Sequence, residues 1–246
     1  MQYGKQRPPL RFRLSFVFLF VIASFIGCFV MYMKGEEGDP LMNQTDVPKV
    51  INIVSEDVTE AVPDKQVENP VPLSGRAEDG YMKNALFAGD ALISGLSEAG
   101  LTDSEHILII DEHTDYSLIK DRTFSAIYLL FSPQDISDDN GRKAFIYDVR
   151  KITQKLRSHN RADIYILSVL PLPQGGKDAN ADIDMINSML LTFCNEQNIY
   201  YIDENTYLKG SDGTLRSSYS RNGQLTEQAY SAVFEMIRTH TAVKEK

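Results

Sequence analysis

Leu14 to Met33 is a run of 20 residues without a charge. As a helix rising 1.5 Å per residue it matches a hydrocarbon core of ~30 Å. Four cationic residues precede it (Lys5, Arg7, Arg11, Arg13), and residues 35–78 carry ten acids against three bases. The positive-inside bias places residues 1–13 in the cytoplasm and everything after Lys34 outside, as a single-pass cell-membrane protein. A cleaved signal peptide is the rival reading, but its apolar core is shorter and ends in a small-x-small site. Here Gly27-Cys28 is followed by Phe29-Val30-Met31-Tyr32. Ile26-Gly27-Cys28 has a faint likeness to a lipidation box, with Phe25 where Leu is usual. The sequence favours an uncleaved transmembrane helix over 14–33.

Residues 34–78 contain Pro40, Pro48, Pro63, Pro70 and Pro72 among Glu, Asp, Val and Asn, with one apolar patch at Val50–Val54. Spaced prolines, low hydrophobicity and excess negative charge predict an extended, self-repelling extracytoplasmic linker. The chain's net charge is −9, and with +5 in residues 1–34 and −7 in 35–78, residues 79–246 keep −7. An acidic domain lacks the basic footprint that phosphate backbones require, which argues against nucleic acid as a partner. Of the two cysteines, Cys28 lies in the apolar run and Cys194 stands alone in the folded part, so no internal disulfide framework is available. Cys194 sits within the helical stripe Ile183, Ile186, Leu190, Phe193 and reads as a packed structural thiol.

From Asp79 the pattern becomes globular. Short apolar runs at Asn84–Gly89, His106–Ile110, Ala126–Phe131, Asp163–Ser168 and Ile199–Asp203 suit strands buried on both faces. Between them lie helical stripes: Phe145, Val149, Ile152 and Leu156; the Ile183–Phe193 stripe; and Ala229, Val233, Met236 and Ile237. Thr226, followed by Glu227 and Gln228, offers a capped start to the last helix. The connection Asp111–Ser125 has room only for a short helix around Tyr116–Asp121. Five strands alternating with helices predict a flavodoxin-like three-layer α/β/α sandwich with a five-stranded parallel sheet over residues 79–246. In such sheets ligands sit at the carboxyl ends of the strands. That singles out Gly89–Ala91, Phe131–Asp135, Leu170–Gln174 and Ser220–Thr226.

Phe87-Ala88-Gly89-Asp90-Ala91-Leu92 resembles the opening Gly-Asp-Ser block of the SGNH/GDSL hydrolases. Tyr128-Leu-Leu-Phe-Ser-Pro-Gln-Asp135 resembles their third-strand block, and Arg221-Asn-Gly-Gln-Leu-Thr226 their C-terminal block. The resemblance spans roughly residues 80–242 and implies an acyl-ester hydrolase using a serine nucleophile, a histidine base and an orienting aspartate. Asp90 keeps the motif, but the nucleophile position is Ala91, a methyl group with nothing to attack with. The asparagine oxyanion donor falls on Gln134, one methylene longer, and such donors act over tenths of an ångström. The base falls on Gln224, which takes no proton at neutral pH, and the orienting acid on Arg221. The glycine donor expected within Asp111–Tyr116 is absent. No catalytic residue is intact, and the resemblance implies no cofactor and no metal.

Other groups offer little to rebuild a site. His106 opens a strand, His159 follows a helix and His240 ends one. His113 lies among acids in Asp111-Glu-His-Thr-Asp115, a composition that suits divalent ions but a spacing that fits a solvated loop. Ser94 and Ser132 are hydroxyls with no evident base. Tyr116, Tyr128 and Tyr219 would stack on sugar rings if they line the cleft. The expectation is a membrane-anchored, non-catalytic domain binding an envelope glycan, as the resemblance implies, or a protein partner. An esterase with a displaced nucleophile is the alternative.

Overall fold

The computed structural model describes residues 66–132, 135–174 and 176–242, with side chains from Asn180 onward in the last stretch. The expected membrane segment, most of the linker and Gln134 therefore lie outside the described residues. Among the described residues no helix is long and apolar enough to cross a membrane.

Five strands form one parallel sheet: β1 (Leu86–Gly89), β2 (Ile107–Ile109), β3 (Ala126–Leu130), β4 (Asp163–Leu167) and β5 (Tyr200–Ile202), in the order β2-β1-β3-β4-β5. Each lies within the run read from the sequence, shortened by one or two residues in all. The helices are α1 (Asp79–Lys83), α2 (Gly95–Glu98), α3 (Asp139–His159), α4 (Gly176–Gln197), α5 (Glu204–Leu208) and α6 (Glu227–Thr239). Between β2 and β3 the chain makes only a 3₁₀ turn at Tyr116–Ile119.

Alternation along the strands divides the core. Leu86, Ala88, Ile127, Leu129, Ile164 and Ile166 pack with Val149 and Leu156 of α3 and Ile183, Ile186 and Leu190 of α4. The other face carries an in-register ladder, Phe87, Tyr128, Tyr165 and Tyr200, across four neighbouring strands. Successive ring centroids are 5.4, 4.9 and 4.5 Å apart, the offset and stacked spacings that rings prefer. Val233 and Ile237 of α6 join this second cluster. The ladder also has polar ends to satisfy: the Tyr128 hydroxyl meets Thr241 Oγ1 at 2.7 Å, and the Ala242 N–H donates to the Tyr165 hydroxyl at 3.2 Å. Helices thus cover both faces, the three-layer sandwich expected. Thr226 caps α6 by accepting the Ala229 N–H at 3.3 Å.

The folded domain also takes in residues before Asp79. The Asn69 side chain acts as a strand partner for β5, accepting the Tyr201 N–H at 2.7 Å and donating to the Ile199 carbonyl at 2.8 Å. The Val71 N–H donates to the Tyr201 carbonyl at 2.8 Å; Ser74 and Ala77 donate to Thr239 and Arg238 at 2.7 and 2.8 Å. Val71 and Ala77 are buried. Composition reads these residues as linker because a side-chain amide pairing with a sheet edge leaves no hydrophobic period.

Candidate functional site at the carboxyl ends of the strands

The rim is organised by one carboxylate. A Cβ at Gly89 would lie 1.8 Å from the Leu130 carbonyl oxygen, so only glycine lets β1 pass β3 this closely. Asp90 then turns the chain. One of its oxygens accepts the Leu92 N–H at 2.9 Å and the other the Ser132 N–H at 2.5 Å, joining the ends of β1 and β3. This is the point where the strand order reverses, the place where open α/β sheets hold ligands. Ala91 opens the following 3₁₀ turn, Ala91–Ser94, and is exposed. A methyl group therefore stands at the rim where the resemblance places a nucleophile.

The last helix comes to the same turn through Tyr230 of α6, whose hydroxyl donates to the Leu92 carbonyl at 3.2 Å. Its ring occupies the space over Gly95, where a Cβ would lie 2.0 Å from the ring. Burial raises the Tyr230 phenol above its ordinary range, with the nearby Glu98 and Asp90 carboxylates adding to the shift. Tyr230→Phe is expected to cost about 1 kcal/mol, lowering the melting temperature by about 2–4 °C. Thermal unfolding followed by circular dichroism checks this, and an unchanged transition would show that the bond contributes nothing.

Arg221 and Gln224 face each other across a two-residue hairpin, β6 (Ser220–Arg221) and β7 (Gln224–Leu225). Its turn, Asn222-Gly223, has φ of 54° and 79°, the left-handed pair that Asn-Gly turns adopt. Both Arg221 and Gln224 are exposed. These are the positions where the resemblance places an orienting carboxylate and an imidazole, and neither a guanidinium nor a carboxamide accepts a proton at neutral pH. Gln134 lies outside the described residues.

No histidine completes this rim. His106 Nδ1 lies 2.9 Å from the Ala85 carbonyl at the amino end of the sheet, and His240 Nδ1 is 3.0 Å from the Met236 carbonyl in the last turn of α6. His159 Nδ1 lies 3.0 Å from Ser158 Oγ at the end of α3, four residues before β4 begins and so towards the amino ends of the strands. His113 is exposed, and the Asp111 carboxylate of its loop accepts the His113 N–H and the Thr114 hydroxyl. Among the described residues no group of three metal-ligating side chains is present. The Ser94 hydroxyl lies 2.9 Å from the Ala91 carbonyl and 3.2 Å from Glu98 Oε1.

Tyr116, Tyr128 and Tyr219 are all buried in the core and present no ring face to a ligand, because the ladder and its flanking layers take them. Cys194 is buried as well, and burial pushes its thiol up, away from the reactive thiolate.

A cleft of about 480 Å³ opens beside the hairpin, within the range of small-ligand sites. Pro173 and Gln174 after β4, the loop Gly210–Ser217, and Ser220, Asn222 and Gly223 line it. The wall after β4 is fastened by two amides of α4. Asn187 takes the Val169 N–H at 2.7 Å and donates to its carbonyl at 2.9 Å, and Asn180 accepts the Leu172 N–H at 2.9 Å. Sequence reading singled out Leu170–Gln174 and Ser220–Thr226 but missed Gly210–Ser217. The available signal was turn chemistry: Gly210-Ser-Asp-Gly-Thr214, with the Asp212 carboxylate accepting the Thr214 N–H at 3.0 Å.

Strand order and the Gly-Asp turn that joins the ends of β1 and β3 at the switch point are those of an SGNH/GDSL-hydrolase-like α/β/α fold. No protein-family model and no curated protein matches the sequence. Similar solved structures include a GDSL-like lipase from Bacteroides thetaiotaomicron, at 13% identity and TM-score 0.46, covering 63% of this chain and 85% of that one. The periplasmic domain of a Salmonella ser. Paratyphi A lipopolysaccharide acetyltransferase has 16% identity and TM-score 0.46, covering 63% and 82%. The OSK domain of Drosophila Oskar has 12% identity and TM-score 0.43, covering 64% and 88%.

Proposed function

We propose that this protein is a non-catalytic SGNH/GDSL-like domain, anchored in a bacterial cell membrane through residues 14–33 and displayed outside it. It binds an envelope glycan or a protein partner through the crevice at the strand ends. The single observation that carries the reading is Ala91 at the switch point. Losing a triad nucleophile or base removes ~10⁴–10⁶ in rate, and here Ala91, Gln224 and Arg221 replace nucleophile, base and orienting acid together. Positive charge before residue 14 and acid after Lys34 support the orientation.

The full chain in detergent is expected to release no acetate from acetylated saccharides or short acyl esters above background. A serine-reactive phosphonate is expected to leave it unlabelled. Ala91→Ser combined with Gln224→His tests whether the scaffold itself remains competent. The second reading, an esterase with a displaced nucleophile, draws on the Ser94 hydroxyl near Glu98. It requires phosphonate labelling that disappears in Ser94→Ala or Ser132→Ala, and such a result would replace the non-catalytic reading.

A further inference from the structure

The cleft beside the Asn222-Gly223 turn is separate in its lining from Ala91 and has its own chemistry. Its described lining is rich in groups that both donate and accept: the amides of Gln174 and Asn222 and the hydroxyls of Ser211, Thr214, Ser217 and Ser220. The two charged residues in that lining, Asp212 and Arg216, are opposite in sign, and each makes contacts within its own loop. Asp212 accepts the N–H and hydroxyl of Thr214 at 3.0 and 2.9 Å. Arg216 donates from Nε to the Lys209 carbonyl at 3.1 Å, and its guanidinium lies 5.6 Å from the ring centre of Tyr207 and 5.9 Å from that of Tyr219. A ligand with many hydroxyls and amides exchanges its hydrogen bonds with such a lining one for one.

From this lining we infer that the cleft is a subsite for a saccharide bearing acetamido groups. The amides of Gln174 and Asn222 pair with the acetamido N–H and C=O, and the serine and threonine hydroxyls with the ring hydroxyls. Tyr207, 44% exposed beneath the Arg216 guanidinium, supplies an apolar face next to the cleft. The inference rests on the binding reading given above and names its ligand class.

The test is isothermal titration of the full chain in detergent with triacetylchitotriose, comparing the native chain with Gln174→Ala and Asn222→Asp. Both positions are exposed, and aspartate tolerates the left-handed turn, so melting temperatures are expected to stay unchanged. Saturable one-to-one binding weakened at least about tenfold by each substitution, a change of about 1.4 kcal/mol, is the expected result. Binding indifferent to both substitutions would move the site elsewhere. No binding at millimolar trisaccharide, or tighter binding of an oligogalacturonate, would overturn the ligand class. Acetate released during the titration would count against the non-catalytic reading alone and leave the location of the subsite standing.

Discussion

Replacing residues 67–77 with a Gly/Ser stretch of equal length, in the otherwise intact chain, is expected to lower the domain's melting temperature by at least about 10 °C. The segment buries Val71 and Ala77 against the core. Burying one valine contributes about 1.5–3 kcal/mol, and each backbone hydrogen bond about 1 kcal/mol. Several such bonds go at once: those of Asn69 and Val71 to β5, and those of Ser74 and Ala77 to the end of α6. The loss also bares the outer edge of β5, a ready template for pairing with another chain, so aggregation is expected near the transition. Asn69→Ala alone removes the partner of both Tyr201 N–H and Ile199 carbonyl and is expected to cost about 1–3 kcal/mol. Thermal unfolding read by near-ultraviolet circular dichroism separates the variants. If the Gly/Ser chain melts with the native one, residues 67–77 do not belong to the cooperative unit.

Glu204→Met is expected to stabilise the domain at pH 8, and Glu204→Gln to flatten its stability against pH. Glu204 is completely buried at the start of α5, and neither carboxylate oxygen has a hydrogen-bond partner. Burial raises its carboxyl well above the ordinary 4.5, with the neighbouring Asp203 carboxylate adding to the shift. A folded-state value above the unfolded one means that the native chain holds this proton longer. The contribution is therefore complete below about pH 4.5 and is lost as pH rises through the raised folded-state value. Relieving an unpaired buried polar group gives back about 1–3 kcal/mol, and each kcal/mol moves the melting temperature by about 2–4 °C. Melting curves of the three chains between pH 4 and 9 check this. Parallel curves for native and Glu204→Gln would place the proton elsewhere.

Much of the fold is legible in the chain because its signals are local. Continuous apolar runs such as Ala126–Phe131 have no reason to exist outside a sheet covered on both faces, and the stripe Ala229, Val233, Met236, Ile237 fixes one face of α6. The chemistry of Ala91, Arg221 and Gln224 is equally local, since a methyl, a guanidinium and a carboxamide cannot act as nucleophile, acid or base in any packing. Burial of Tyr116, Tyr128 and Tyr219 was not legible, because a tyrosine reads alike on a cleft wall and in a ladder until its neighbours are known.

The sequence by itself determined the residue types at Ala91, Arg221 and Gln224 and, through short-range period, the layer architecture. Only the tertiary structure decided that Asn69 pairs with the edge of β5 and that Glu204 is sealed without a partner. It likewise decided that Gly210–Ser217 closes a cleft against Gln174 and Asn222. Asn69 and Tyr201 lie 132 positions apart and Gln174 and Gly210 lie in separate loops, and pairing of that kind leaves no period for a local reading to detect.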